Sequence, residues 1–403
     1  MSPYIEINTP QYWKTNIALF LGSLVTFALL YFVQPLIPVF SQTFGVSPSV
    51  SSLTVSNAAT GLALSMLCMS WLSDRQGRKR IMTLALLGSS LCTLLLVFAD
   101  QFQVLLLLRG LTGVFLAGFP ALAMTYINEE ISPQHVGLVM GIYVSGTSVG
   151  GLVGRLVAST LADHVSWKAA AGVLGVAGVL IGLWFAVNLP RSKHFTAQRP
   201  SFRTAVASLA LHLRNPQLWP LYLVSFLMMG SFVALFNYIS YPLMAPPYNL
   251  SQTVVGMIFL VYLVGTFSST FLGRMADRHG SGAVLGASLA CMLLGAMLTL
   301  TEPLYGKGLG LALFTFGFFG GHSVASSWVA RLAAGHKAQA SALYLLFYYL
   351  GSSVLGAAGG KFLQWQGWHG VVLLVGIGLT AALGTVTALC VRSGQWRLGD
   401  TGK

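Results

Sequence analysis

The stretch from Ser70 to Arg80, SWLSDRQGRKR, is a short polar segment between two long apolar runs. A degenerate copy, GRMADRHG from Gly273 to Gly280, follows another apolar run later in the chain. Gly77 permits a tight turn, Asp74 can pair with a neighbouring arginine or lie at a helix N-terminus, and the basic residues favour a lipid surface. The pattern therefore predicts one kind of membrane-surface turn, used twice.

Apolar runs continue on both sides of this segment through the whole chain. The 403 residues are 55% hydrophobic and only 8% charged, whereas soluble domains are about 25% charged. Because a spanning helix needs about 20 apolar residues, the sequence predicts an all-α polytopic membrane protein with twelve transmembrane helices. The runs are approximately 17–40, 50–72, 80–98, 102–126, 137–161, 168–189, 218–243, 253–273, 283–301, 308–330, 339–361 and 369–391.

The basic residues lie mostly in alternate loops between these runs. Since Lys and Arg are retained on the cytoplasmic side, their distribution predicts that both termini are cytoplasmic. The same distribution accounts for the net charge of +13, so the charge does not indicate nucleic acid as a partner. Only Lys168, Lys307 and Lys361 would face outward, whereas the predicted cytoplasmic residues are Lys14, Arg75, Arg78, Lys79, Arg80, Arg191, Lys193, Arg199, Arg203, Arg214, Arg274, Arg278, Arg331, Lys337, Arg392, Arg397 and Lys403.

The two halves of the chain resemble each other. A basic segment at 190–217 divides the runs six and six, which predicts an N-terminal bundle at 1–189, a cytoplasmic linker and a C-terminal bundle at 218–403. Related halves in the same orientation are typical of one large class of transporters, with the solute site between them near the midplane. The spacing of Tyr143, Gly150 and Trp167 recurs in Tyr344, Gly351 and Trp368.

The loop at Ser70 to Arg80 resembles the signature between helices two and three of the major facilitator superfamily, with Ser70 where that family usually has glycine. A narrower resemblance, to inner-membrane exporters of the YnfM type, covers nearly the whole length. It rests on YFVQP at Tyr31 to Pro35, HSVASSW at His322 to Trp328 and QASALYLLFYYLG at Gln339 to Gly351. The resemblance implies a bacterial inner-membrane carrier that works by alternating access.

Two arginines lie within apolar runs. Arg109 resembles the helix-four arginine of proton-coupled exporters, but a structural arginine that donates to carbonyls of a broken helix is the alternative. Gly146, Gly150, Gly154 and Ala158 form a small-residue stripe that resembles the exporters' antiporter signature, with Arg155 where proline should stand. We expect this stripe to pack against the related stripe of Gly351, Leu355 and Gly359.

All nine acidic residues lie at span ends or in loops, so a mid-span carboxylate relay of the kind found in multidrug relatives is absent. His322, about 14 Å deep at helical rise, can exchange a proton near neutral pH. An uncharged histidine that forms a structural hydrogen bond is the alternative. The predicted coupling and gating residues are Asp74, Arg78, Arg109, Glu129, Gly150, Gly154, Arg155, Asp277 and His322.

Polar-tipped aromatic and amide side chains at mid-span depth predict a central cavity for a moderately polar organic solute. Any single tyrosine among them is equally consistent with packing or with the membrane interface. The predicted solute-binding residues are Tyr31, Gln34, Asn57, Arg109, Tyr143, Asn237, Tyr238, His322, Tyr344 and Tyr348.

The function predicted is proton-linked export of a small organic solute by a monomer in contact with membrane lipids. Uptake or facilitated diffusion by the same fold is the alternative, because the antiporter proline is replaced. A polytopic membrane enzyme is disfavoured, since the sequence has no HExxH, paired-Asp or GxSxG motif. The sequence also has no channel filter and no Walker motif, and it predicts no cofactor and no metal site.

Overall fold

A computed structural model describes residues 4–7, 9–194, 213, 215, 217–333 and 337–393. In these ranges the chain is helical, and an isolated parallel bridge between Ile5 and Ile131 is the one β feature. The all-α polytopic fold is confirmed. Most of the predicted linker, at 195–212, 214 and 216, lies outside the described residues, as does the end of the chain from 394.

The described residues before the linker form nine α-helices. Single turns of 3-10 helix at Gln34–Leu36 and Leu96–Phe98 follow α1 and α5. The helices are α1 (Pro10–Tyr31), α2 (Ile37–Phe44), α3 (Pro48–Ser51), α4 (Leu53–Gln76), α5 (Arg78–Leu95), α6 (Phe102–Leu116), α7 (Pro120–Glu130), α8 (Val136–His164) and α9 (Trp167–Asn188).

Seven further α-helices follow residue 217 in the described part of the chain. A 3-10 turn at Ile258–Val261 separates two of them. The helices are α10 (Trp219–Tyr238), α11 (Ser240–Met244), α12 (Gln252–Met257), α13 (Tyr262–His279), α14 (Ser281–Leu298), α15 (Leu304–Leu332) and α16 (Lys337–Ser393).

Ten helices of the described chain are long and apolar enough to cross a membrane, or eleven if the bent pair Pro48–Met66 and Cys68–Gln76 is one span. The last of them, Gln339–Arg392, has 54 residues. At helical rise that is about 80 Å, against about 30 Å for a bilayer core. The helix kinks where Gln366 and Gly367 leave helical geometry. Twelve crossings stay a prediction, which requires this helix to cross twice.

The two copies of the loop motif have the same backbone conformation. Gly77 precedes α5 with φ 94° and ψ 147°, and Gly280 precedes α14 with φ 90° and ψ 144°. Residues with a side chain rarely adopt such positive φ values. The tight turn predicted to need Gly77 is confirmed.

The helices cluster into two compact units. Unit 1 is Met1–Phe44, Asn57–Phe202 and Ser251–Met257, and unit 2 is Gly45–Ser56, Arg203–Leu250 and Ile258–Lys403. Each unit therefore contains one short segment from the other half of the sequence. The two segments occupy corresponding places, since one precedes most of α4 and the other, which includes α12, precedes α13. The predicted boundaries at 1–189 and 218–403 stay a prediction.

The small-residue stripe of α8 packs against α1 inside unit 1. A Cβ atom on Gly150 would overlap the carbonyl oxygen of Leu24, and one on Gly154 would lie 2.7 Å from the Cα atom of Ala28. Because Gly150 and Gly154 carry no side chain, the backbones of α8 and α1 can approach each other directly.

The related stripe of α16 packs against α10 inside unit 2. A Cβ atom on Gly351 would overlap the carbonyl of Phe226, and one on Gly359 would lie 2.6 Å from the ring of Tyr238. The expected contact between the two stripes is therefore wrong. Each stripe packs against the first long helix of its own half. The close backbone approach leaves no room for a second helix at the same face.

Gly150→Leu should destabilise unit 1, because the new side chain meets the backbone of α1. Overpacking of this kind costs about 1 to 3 kcal/mol, so we expect a lower unfolding midpoint for the detergent-purified protein. Gly141→Leu is the matched control on the same helix, since a Cβ atom at Gly141 meets nothing within 4 Å. Equal midpoints for the two variants would show that the close packing is not needed.

Candidate functional site

Arg155 lies in a buried polar cluster of unit 1 and is 3% exposed. Its Nε and Nη2 atoms donate to Oε1 of Gln34 at 2.9 and 2.7 Å, and Nη1 donates to the carbonyl of Gly151 at 2.6 Å. The guanidinium also lies 4.6 Å from the ring centroid of Tyr31. The structure thus brings Arg155, predicted as a coupling residue, together with Gln34 and Tyr31, predicted as solute-binding residues.

The break after α1 positions this cluster. Helix α1 ends at Tyr31, and Gln34 is the first residue of the 3-10 turn that contains Pro35. Proline has no N–H group and disrupts a continuous helix. The carbonyl that Pro35 still offers accepts a hydrogen bond of 2.7 Å from Nε2 of Gln252. Gln252 was missed in the sequence, although an amide beside an apolar run was a usable signal.

Arg109 lies at the same end of α1 and is fully buried. Its Nη1 and Nη2 atoms donate to the carbonyls of Leu29 and Leu30 at 2.7 and 2.6 Å. Carbonyls in the last turn of a helix lack intrahelical partners, so the arginine stabilises the break in α1. These bonds match the structural alternative given for Arg109, and a role in solute binding stays a prediction.

A second cluster lies in unit 2 around His322 of α15. Its Nδ1 atom is 2.9 Å from the hydroxyl of Tyr344, and its ring is 4.8 Å from the ring of Tyr348. Phe318 stacks on the histidine at 6.3 Å. Two motifs far apart in sequence, HSVASSW and QASALYLLFYYLG, therefore meet at one place on α15 and α16.

The remaining predicted solute-binding residues mainly bond to backbone carbonyls. Asn57 is exposed and donates to Leu106 O at 2.7 Å, whereas the buried Tyr143 donates to Pro120 O at 3.2 Å. Tyr238 donates to Gly356 O at 2.7 Å, and Asn237 is fully buried beside it in the sequence. Their role in binding a solute stays a prediction.

An aromatic cluster that the sequence reasoning did not assemble adjoins His322. The Phe232 ring stacks 3.7 Å from that of Phe318, which itself stacks on the histidine. Phenylalanines four residues apart on α10 and α15 were the available signal. The cluster also contains Phe236, Tyr262, Phe314 and Phe319.

The loop motif forms an ion-pair network at one end of unit 1. Arg78 donates to Asp74 and also binds Glu129 through two nitrogens, at 2.9 and 3.3 Å. Glu129 belongs to the last turn of α7, so the arginine joins this turn to the start of α5. In the second copy of the motif Asp277 is exposed.

Glu130, which follows Glu129 in the sequence, binds His194 near the start of the linker. It is 1% exposed, and its carboxylate accepts the backbone N–H of His194 at 2.9 Å and lies 3.3 Å from the ring Nδ1. Tyr4 stacks on the same imidazole at 4.7 Å. Glu130 is one of the nine acidic residues placed at span ends or in loops, and its pairing with His194 was not predicted.

Polar contacts attach each short segment from the other half of the sequence, Gly45–Ser56 in unit 2 and Ser251–Met257 in unit 1, to its unit. In unit 2, Ser56 and Ser353 each donate to the carbonyl of the other, at 3.2 and 3.1 Å. In unit 1, Asp163 at the end of α8 accepts the N–H and hydroxyl of Thr253 at 3.1 and 2.6 Å. In each unit, side-chain hydrogen bonds thus hold the segment that comes from the other half of the sequence.

Comparison with known proteins identifies the family. Residues 19–241 and 237–400 match the model of the Major Facilitator Superfamily. The chain is 46% identical over 382 residues to the uncharacterized MFS-type transporter YybF of Bacillus subtilis (strain 168), covering 94% of both. It is 44% identical over 382 residues to the inner membrane transport protein YnfM of Escherichia coli (strain K12), covering 94% of this chain and 91% of YnfM.

Solved structures show the same fold at low identity. A variant of the nucleoside transporter NupG matches with a TM-score of 0.75 and 15% identity, covering 93% of this chain and 99% of NupG. A D-xylose-proton symporter matches with a TM-score of 0.75 and 13% identity, covering 93% and 97%. Fold and relatives together define a polytopic membrane transporter. The chain belongs to the Major Facilitator Superfamily.

Asp74→Asn should slow turnover more than it weakens solute binding, because it removes one of the two carboxylates that hold Arg78. A partly exposed ion pair contributes up to about 1 kcal/mol, so we expect turnover to fall about two- to fivefold. The measurement is flux in proteoliposomes with a solute found by thermal-shift screening. Asp100→Asn is the control, because it removes an exposed ion pair with Lys168 outside the loop motif. Turnover equal to wild type in Asp74→Asn would reduce the motif to a topology signal.

Proposed function

We propose that the chain is a secondary carrier that exports a small organic solute across the bacterial inner membrane in exchange for protons. It works by alternating access between its halves, with both termini in the cytoplasm. Family membership and the similarity to the inner membrane transport protein YnfM support the general class. The direction, the proton coupling and the kind of solute are parts of the proposal.

The observation that carries the proposal is the contact between His322 and Tyr344. A titratable imidazole lies on a membrane-spanning helix, 2.9 Å from a hydroxyl and against the ring of Tyr348. Polar groups at this depth are costly and mark functional pathways more often than packing. The cluster combines a hydrogen-bonding edge with flat apolar faces, which suits a moderately polar organic solute.

The hydrogen bond is compatible with both protonation states of the histidine. In neutral His322 the Nδ1 atom either accepts from the Tyr344 hydroxyl or donates to it, depending on the tautomer. In the imidazolium form Nδ1 donates, and the hydroxyl rotates to accept. A proton can therefore be taken up without the loss of the contact, while the added charge favours a conformation in which water or solute reaches the ring.

Uptake or facilitated diffusion is the second candidate within the same fold. It is favoured by Arg155, which occupies the position of the antiporter proline and is bound to Gln34. From a different class, a polytopic membrane enzyme stays the alternative with least support, because the relatives are named as transporters.

His322→Gln should abolish solute accumulation driven by a pH gradient while solute exchange persists. Glutamine keeps a hydrogen-bonding side chain beside Tyr344 but does not titrate. The measurement is uptake into inside-out vesicles or proteoliposomes with and without an imposed pH gradient, using a solute found by thermal-shift screening.

Tyr344→Phe is the matched control, since it removes the hydrogen bond and leaves the imidazole able to titrate. We expect it to weaken solute binding but to keep accumulation dependent on the gradient. Accumulation by His322→Gln with the pH dependence of the wild type would contradict the proposed coupling. The proton carrier would then be sought at Glu129 and Glu130.

A further inference from the structure

A cavity of about 780 Å³ lies in unit 2 between the start of α10, the end of α15 and the last part of α16. Helix α16 contributes Gly384, Leu389 and Arg392 to its wall, and α15 contributes Trp328 and Leu332. None of these residues belongs to the His322 cluster. The cavity is therefore separate from the proposed solute site.

The wall of the cavity changes from apolar to basic along α16. Trp328 and Leu389 are buried and give it an apolar side, whereas Arg392 is exposed at the end. Gln217, also exposed, adds an amide near the start of α10. Arg392 lies eight positions after Gly384, about 12 Å at helical rise, which is close to the roughly 15 Å of one leaflet's hydrocarbon.

A neighbouring cavity lies further along α16. This second cavity, of about 850 Å³, shares Ala381 with the first and extends along α16 to His369 and Gln366. The first cavity, hereafter the groove, meets the second at Ala381 on the surface of membrane-spanning helices. The environment of such a surface is acyl chains, so the apolar part of the groove is suited to lipid rather than to a water-borne solute.

We propose that the cavity beside Arg392 binds an anionic phospholipid. One acyl chain lies between Trp328 and Gly384, and the phosphate is bound by the Arg392 guanidinium with the Gln217 amide as a second donor. A basic residue at the mouth of an apolar groove between helices favours an anionic headgroup. The arginine's apolar stem packs along the groove while its charge stays at the interface. Arg331, nearby in the fold, donates instead to the hydroxyl of Ser281.

Native mass spectrometry of the full-length protein tests the headgroup contact. The probes are phosphatidylglycerol and phosphatidylcholine with identical acyl chains. We expect wild type to retain phosphatidylglycerol about fivefold better, since one basic residue near an anionic lipid contributes about 1 kcal/mol. Arg392→Gln should bind both lipids equally. Arg274→Gln, which removes an exposed arginine of α13, should keep the preference.

A second pair of variants tests the groove itself. Gly384→Leu should fill the cavity and remove one retained lipid of either kind. Gly286→Leu is the matched control on α14, because a Cβ atom meets nothing within 4 Å at either glycine. Neither substitution touches the transport residues, so the result does not depend on the proposed function.

Equal retention of the two lipids by wild type would overturn the proposal, as would loss of the preference in Arg274→Gln. Loss of a lipid in Gly286→Leu but not in Gly384→Leu would place the lipid elsewhere. A dimer that dissociates only in Gly384→Leu would show that a second copy of the chain occupies the groove, which also contradicts the proposal.

Discussion

The structure depends on the need to satisfy every backbone polar group without water. In a bilayer core an exposed carbonyl costs several kcal/mol, so a helix can end there only where the protein supplies a donor. Arg109 supplies it by donating to the last free carbonyls of α1, at Leu29 and Leu30. The break that this arginine stabilises turns Gln34 toward Arg155. One buried cation thus makes possible the polar cluster built around another.

Close packing of helix pairs supplies the frame in which these clusters lie. In unit 1 the glycines of α8 bring it against α1, and in unit 2 the glycines of α16 bring it against α10. Such contacts replace side-chain interdigitation with direct backbone approach. The Arg155 cluster lies on the pair α1 and α8 itself. The His322 cluster joins α15 to α16, one helix of the second pair.

The sequence was sufficient for the fold because the fold depends on local patterns. Apolar runs define the helices, and the two copies of the loop share one backbone conformation at Gly77 and Gly280. His322 and Tyr344 were both candidates because they are polar groups at mid-span depth, but their hydrogen bond was not predicted. For the spans and for these two residues the signal was residue type at a given depth, and for the loops it was the repeated motif.

Partner choice was not predictable in the same way. Periodicity shows that α8 has a small-residue face at Gly150. It does not show which helix packs against that face, and the predicted partner was wrong. The bond from Gln252 to the Pro35 carbonyl and the pairing of Glu130 with His194 join residues far apart in sequence. Only the three-dimensional packing brings such groups together.

We propose that contacts between the two halves of the sequence, such as that of Ser56 with Ser353, open during each transport cycle. Ser56→Cys with Ser353→Cys, in a chain whose four native cysteines are replaced, tests it by cross-linking one such contact in proteoliposomes. Asp100→Cys with Lys168→Cys is the control, because both residues of that 2.6 Å ion pair belong to the first half of the sequence. The account predicts that oxidation stops flux only in the first pair and that reduction restores it. Undiminished flux through a fully cross-linked Ser56 and Ser353 pair would contradict it.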